Sequence, residues 1–218
     1  MALVERTLLE MRSDIQTRLG FGMAGQAGVV NAPLIDSMLR SGQTQLYEQF
    51  DWATLKRVQE RTTGINQQFY DYPVDCNPDR VQAIFMTWGG QVHQLREGID
   101  YRDRSTNQGS IPHSFELRDQ IELWPIPQAQ YPLRIEYVKQ LGSFSANSDR
   151  ATLPSEIVYL HALANAKKHY RQPDADTYAS QLEALLTRVK SRNRKTVFER
   201  RSSDRTPYDS LPEDSQRV

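Results

Sequence analysis

The sequence predicts an α+β protein, mainly helical. Two N-terminal helices and a C-terminal αα-hairpin form a helix bundle, with an inserted antiparallel β-rich region and an extended C-terminal tail. Three observations predict this. Apolar residues recur at helical spacing near both ends, they alternate with period two in the middle, and the last stretch loses its apolar pattern while gaining Arg and Lys. The expected boundaries are 1–54 for the N-terminal helices, 55–150 for the β insertion, 151–192 for the αα-hairpin that completes the bundle, and 193–218 for the tail.

Residues 3–19 read as the first helix. Leu3, Leu8, Leu9, Ile15 and Leu19 fall near one face, Glu5, Arg6, Glu10, Arg12, Asp14 and Arg18 occupy the other, and Gly20 is a suitable stop. Phe21 to Gly28 is a flexible connector. Its Gly22, Gly25 and Gly28 do not make a phosphate loop, because no strand precedes them and no Gly-Lys-Ser/Thr follows. The second helix is expected to open with Asn31 as N-cap, Pro33 in its first turn and Asp36 close behind. Leu34, Ile35, Met38, Leu39, Leu46, Tyr47 and Phe50 supply its apolar side, Ser41-Gly42 predicts a kink, and Trp52 is the core anchor at its close.

The β-rich region starts at Leu55. Residues 55–62 and 64–72 are expected to pair across Thr63-Gly64, and Asp71 to Pro78 is a loop. Val81 to Thr87 is a buried strand that turns at Gly89-Gly90 into Gln91 to Leu95. Ile99 to Arg104 is a charged edge, and Ser105 to Ser110 an exposed loop. Ile121 and Leu123 alternate with Gln120, Glu122 and Trp124; Leu133, Ile135 and Tyr137 alternate with Arg134 and Glu136. With Pro125, Pro127 and Pro132 between them, these read as two antiparallel strands of one hairpin, each with one apolar and one wet face.

Gln140 to Asp149 is a surface loop. Leu153-Pro-Ser-Glu156 opens an Ala-rich helix that Pro173 ends, and Asp174 or Asp176 caps a last helix carrying Tyr178, Leu182, Leu185, Leu186 and Val189. Arg188, Lys190, Arg192, Arg194, Lys195, Arg200, Arg201 and Arg205 then form a basic run, dotted with the apolar residues Val197, Phe198, Tyr208 and Leu211. Its composition is that of a disordered segment. Such a segment either folds on a partner or is an untethered terminus.

Composition bounds the function. Of 218 residues 38% are hydrophobic, mean hydropathy is −0.67 and the formal net charge is zero. A core this modest suggests that part of the chain is tail, or that partner subunits complete its burial. Zero net charge predicts no global attraction to nucleic acid or membrane. The single cysteine, Cys76, excludes an internal disulfide framework and a Cys-based zinc cluster, and no apolar run of about 18 residues could span a membrane. Met1 to Arg6 lacks a signal-peptide core, so a reducing cytoplasm is the expected place of synthesis.

No catalytic constellation emerges. His93 and His113 stand far apart, and His161 and His169 lie two helical turns, about 11 Å, from one another, too far for one metal. Asp75 and Asp71 would raise the pKa of Cys76 and oppose a thiolate nucleophile. Asp100, Asp103 and Glu97 sit among Arg96, Arg102 and Arg104 and read as solvated ion pairs, and Ser110, Ser114 and Ser155 lack a nucleophile-elbow context. No cofactor is expected. The basic run leaves open a nucleic-acid-binding accessory protein acting through its C-terminal segment. Against this, the tail lacks the interleaved aromatics of a single-strand binder.

Two N-terminal helices ending in Trp52, the β insertion with Tyr70-Asp-Tyr-Pro-Val-Asp75 and Ile121-Glu-Leu-Trp-Pro-Ile-Pro127, the Leu153-Pro-Ser-Glu156 helix start, and Lys167-Lys-His-Tyr170 occur in a characteristic order. Over roughly residues 3–192 this layout resembles the head-to-tail adaptors, or head-completion and upper tail-tube connector proteins, of short-tailed bacteriophages. The resemblance implies a structural virion protein of the neck, made in the host cytoplasm. Copies would form a ring, dodecameric by analogy, under the portal protein, with DNA passing through the channel without sequence recognition. A tail nozzle or tail-tube protein would attach below, tail fibres or spikes are further partners of such adaptors, and no membrane is involved. It further implies a chain that is monomeric when free and docks on the portal through its tail, at Arg194, Lys195, Val197, Phe198, Arg200, Arg201, Tyr208 and Leu211. A ring requires a heterologous interface, for which Arg6, Arg12 and Arg18 are the expected contacts with acids of the adjacent copy.

Overall fold

The computed structural model describes residues 5–21, 26–104 and 110–193. Helix α1 spans Leu8–Arg18, five residues shorter at its start than the periodicity predicts. A capping box sets the boundary. Thr7 Oγ1 accepts the Glu10 N–H at 3.2 Å, and the Glu10 carboxylate accepts the Thr7 N–H at 2.8 Å.

Helix α2 spans Gln26–Gln49 and corrects four expectations, the first being that Gln26 to Gly28 open this helix and are not part of a flexible connector. Asn31 is not its N-cap, and Pro33 lies inside it rather than in the first turn. Asn31 instead accepts a hydrogen bond from the Tyr170 hydroxyl at 2.8 Å, and the buried stripe of Ile35, Leu39 and Leu46 holds the helix despite the donor that Pro33 removes. The helix also runs through Ser41-Gly42 without interruption. Gly42 is buried against His161 of the later helix α4 (Ser155–His169), so its lack of a side chain serves close packing there and not a break. The last carbonyls of α2 are capped from outside the helix. Trp52 Nε1 donates to Leu46 O at 2.9 Å, and Arg80 donates to Tyr47 O and Glu48 O at 2.8 and 3.2 Å. Trp52 is the core anchor the sequence suggests, only 1% exposed.

A single 3-10 turn at Ala53–Leu55 leads into two four-stranded sheets. The strands are β1 (Lys56–Thr62), β2 (Phe69–Tyr70), β3 (Cys76–Trp88), β4 (Gln91–Gln94), β5 (Arg96–Glu97), β6 (Ser114–Leu117), β7 (Ile121–Trp124) and β8 (Pro132–Lys139). One sheet runs β1-β8-β3-β4 and the other β2-β7-β6-β5. Their inward residues, among them Tyr70, Ile84, Met86, Phe115, Ile121, Leu123 and Ile135, form one shared core.

Two predicted pairings are overturned. β7 and β8 are not partners: β7 pairs with β6 and β2, whereas β8 pairs with β1 and β3. The Pro-rich link of residues 125–131 carries the chain from one sheet to the other, and alternation alone cannot choose between a partner next door and one across the core. Nor does β7 have a wet face, since all four of its residues are buried. Likewise β1 does not pair with the segment after Gly64. Thr63 ties the end of β1 to the β7–β8 link instead, its hydroxyl accepting the Tyr131 N–H at 2.8 Å and its N–H donating to Tyr131 O at 2.9 Å.

The β3–β4 hairpin is as predicted, with left-handed Gly89 and Gly90 supplying the two-residue turn that matches strand twist. β3 starts earlier than expected, at Cys76, with irregular register before Ala83. The charged edge after Ile99 contains a single helical turn, α3 (Tyr101–Arg104).

Helix α4, led in by Pro154, and α5 (Ala175–Asn193) form the expected αα-hairpin. Between β8 and α4 the loop crosses α1. Leu8 N–H donates to Asp149 O, and the Asp149 carboxylate gathers the Ser145 and Ala146 N–H groups at 2.8 and 2.9 Å. Leu8, Met11, Ile15, Ile35, Leu39, Ile157, Val158 and Leu163 fill a second core, shared by α1, α2 and α4, against which α5 lays Leu182, Leu185, Leu186 and Val189. At the end of β8, Tyr137 points into the sheet core while its neighbour Val138 points into the helical core. The fold is therefore mixed α+β. The mainly helical balance expected from the sequence is not what the described residues show.

Candidate assembly surfaces

The groups that sequence reasoning weighed for chemistry are placed as follows. Burial, with Asp75 adding to it, pushes the Cys76 thiol up to about 11. His93 stacks on Trp88 at 3.5 Å between ring centroids, and His113 Nδ1 lies 2.9 Å from Ser114 Oγ. His161 faces Gly42 and Asn165, and burial lowers its pKa below the ordinary histidine range. Among the described residues no three His, Cys, Asp or Glu side chains gather where they could hold a metal ion.

The three arginines expected at a subunit contact form a belt along α1. Arg6 reaches Asp14 at 3.4 Å and Glu156 of α4 at 3.3 Å. Arg12 reaches Asp36 of α2 at 2.8 Å and Asn147 of the crossing loop at 2.7 Å. Arg18 lies 3.6 Å from Asp14 and donates to the Tyr178 hydroxyl of α5 at 3.4 Å. Both Arg6 and Arg18 also stand over the Tyr159 ring, 4.9 and 5.7 Å from its centroid. Each arginine thus has an acid of its own chain. Arg6 and Arg18 keep over a third of their side-chain surface open, whereas Arg12 is mostly covered.

Two polar nodes escaped sequence reasoning. Lys167 is 5% exposed, and its ammonium donates to Asp174 at 2.6 Å, Gln172 at 2.7 Å and the Arg18 carbonyl at 3.3 Å. It fastens the α4–α5 turn to the end of α1, and engages the carboxylate of Asp174, one of the two caps, with Asp176, that the sequence offers for α5. The available signal is a lysine that follows Ala162, Ala164 and Ala166 near the end of an Ala-rich helix. In the sheets, Glu122 is 1% exposed and holds Gln68 at 2.8 Å and Arg104 at 2.9 Å, while Arg104 also pairs with Glu116. Arg104 ends α3, so this node pins the chain just before residues 105–109. Nothing in the alternation of β7 marks Glu122 as buried.

The outer face of the first sheet is open. Arg134 bridges Glu136 at 2.9 Å and Glu60 at 3.8 Å, flanked by the exposed Val58 and Val92 and the half-buried Phe85. This apolar surface with a charged centre is suited to contact with another protein surface. Val74 and Tyr101 are further exposed apolar residues, 100% and 86% exposed. No described helix is long and apolar enough to cross a membrane.

The expected portal contacts Arg194, Lys195, Val197, Phe198, Arg200, Arg201, Tyr208 and Leu211 lie outside the described residues, as do Gly22 and Gly25 of the connector and the loop at 105–109. The model of one protein family, described as SU10 adaptor protein, matches residues 6–207. No curated protein matches the chain.

Proposed function

The chain belongs to the SU10 adaptor protein family, whose members are structural adaptors of phage virions, and from that premise we propose that it forms a head-to-tail ring. In this reading α1, α2, α4 and α5 act as a helix bundle (residues 1–54 with 151–192) that builds the ring, dodecameric by family resemblance. The sheets of 55–150 face outward or towards the tail, and 193–218 reach up along the portal protein. The channel passes DNA without reading its sequence, and a tail nozzle or tail-tube protein attaches below.

The observation that carries this reading is the contrast between body and tail. In the body Arg6, Arg12, Arg18 and Lys167 all pair with acids of the same chain, whereas the segment leaving α5 concentrates Arg194, Lys195, Arg200 and Arg201 around Val197 and Phe198. A segment of that composition gains order by docking on another surface. Arg6 and Arg18, still partly open, are the members of the α1 belt free to share an acid of the adjacent copy, and Arg12 would support them from behind.

Native mass of the purified protein, alone and mixed with portal rings, tests the proposal. A monomer that becomes one discrete high-order complex with portal, and that fails to do so when truncated after Arg192, supports it. Portal docking by the truncated chain would remove the tail from the mechanism. A monomer that ignores portal rings but shifts duplex DNA with a steep salt dependence would point to the nucleic-acid-binding reading.

A further inference from the structure

At the C-terminal end of α5 an apolar groove of about 510 Å³ opens between that helix and the segment that follows α2. Phe50 and Trp52 form one wall, Leu186 and Val189 the other, with Asp51 and Lys190 at the rim. The Lys190 ammonium stands 4.2 Å from the centroid of the Phe50 ring. Among the described residues, α5 is the one long helix whose apolar stripe is nowhere fully covered: Leu182, Leu185, Leu186 and Val189 are all only half-buried, whereas α1, α2 and α4 each bury several side chains completely.

We propose that this groove takes Val197 and Phe198 of the same chain. The position and length of the remaining chain point to them. The 25 residues from Arg194 to Val218 depart one turn beyond the groove, and Val197 and Phe198 are the first apolar residues after Val189. Four or five extended residues past Asn193 span about 13–18 Å. Leu186 lies only about 10 Å back along the helix axis, so a reversal beyond α5 brings the pair over the groove. The rim carries both signs: Asp51 offers an exposed carboxylate to Arg194, Lys195, Arg200 and Arg201, which flank the pair, while Lys190 stands over the Phe50 ring.

Seated there, the start of the tail is stored against its own body and leaves the groove before Phe198 can meet another protein. That consequence rests on the adaptor reading; the contact itself does not, and it is tested on the free protein.

The test is disulfide trapping in the full-length chain carrying Thr187→Cys and Glu199→Cys, positions on the groove wall and next to Phe198. Cys76 is buried and does not compete. If α5 merely continued as a helix, residues 187 and 199 would lie about 18 Å apart, beyond the reach of a disulfide. The expected result is an intrachain bond at monomer mass that forms at least tenfold more slowly when Val197→Ser and Phe198→Ser are added. Absence of the bond, an equal rate in the serine control, or bonding only between two chains would overturn the proposal, the last because a second copy would then be the occupant.

Discussion

Gly42 of α2 lies directly against the His161 ring of α4: a Cβ at position 42 would stand 2.6 Å from His161 Nδ1. In an exposed helix interior, Gly→Ala gains about 0.5–1 kcal/mol through reduced unfolded-state entropy. Here the added methyl forces the half-buried imidazole to move, and overpacking of this kind costs about 1–3 kcal/mol. Gly42→Ala is therefore expected to destabilise the protein by about 1 kcal/mol, read as a lower denaturation midpoint. Adding His161→Ala should recover stability relative to Gly42→Ala alone, because the obstruction is then gone; a further loss in the double variant would place the strain elsewhere.

The same histidine makes stability depend on pH. Burial holds its folded pKa below the ordinary value of 6.5. On acidification the unfolded chain takes up the proton first, so it binds more protons than the folded chain and stability falls. The contribution is fully present above about pH 6.5 and is lost as pH drops from there through the folded pKa. Urea midpoints between pH 7.5 and 5 should decline for the parent protein, and His161→Gln should flatten that decline. Parallel curves would assign the effect to another group.

Glu122 is the buried acid of the sheets, with Arg104 and Gln68 as its partners. Glu122→Ala leaves both donors short of an acceptor and opens a cavity. Arg104 keeps Glu116 and is partly solvated, which limits the cost to about 2–3 kcal/mol. Faster amide exchange in β2, β6 and β7, with the helical core unchanged, is the expected signature. Uniform loosening of both cores would mean that they unfold as one unit.

Lys167 ties three elements together through one ammonium. Lys167→Met keeps the packed stem and drops the charge, and Asp174, 44% exposed at its side chain, can return to water. Lys167→Ala loses both stem and charge. The alanine variant should cost about 2–3 kcal/mol and the methionine variant about half as much, measured by thermal or urea denaturation. Equal losses would show that the ammonium, rather than the packing, carries the stabilisation.

Much of the fold follows from signals confined to a few neighbouring residues. Gly89-Gly90 between alternating strands makes a two-residue hairpin wherever it occurs, because both glycines accept left-handed backbone without a side-chain clash. Pro154 and Pro173 bracket α4 for equally local reasons, and Thr7 with Glu10 carries a readable capping box that places the start of α1 better than apolar periodicity does. The arginines of α1 were legible as a charged face, though not as groups that already own Asp14, Glu156 and Asp36.

Local sequence signals were enough to locate the four long helices, the β3–β4 hairpin with its Gly89-Gly90 turn, Trp52 as a core anchor, and the family layout that residues 6–207 match. Beyond the β3–β4 hairpin, strand pairing is set by tertiary packing, since a period-two pattern says which face is buried and nothing about whether the partner lies in the same sheet. Tertiary packing likewise kept α2 helical through Pro33 and Gly42, because burying Ile35, Leu39 and Leu46 outweighs a lost hydrogen bond and a flexible residue. It also placed the charges of Glu122 and Lys167 inside: a charge can be buried only where partners from distant parts of the chain converge on it, and their convergence is a property of the whole fold.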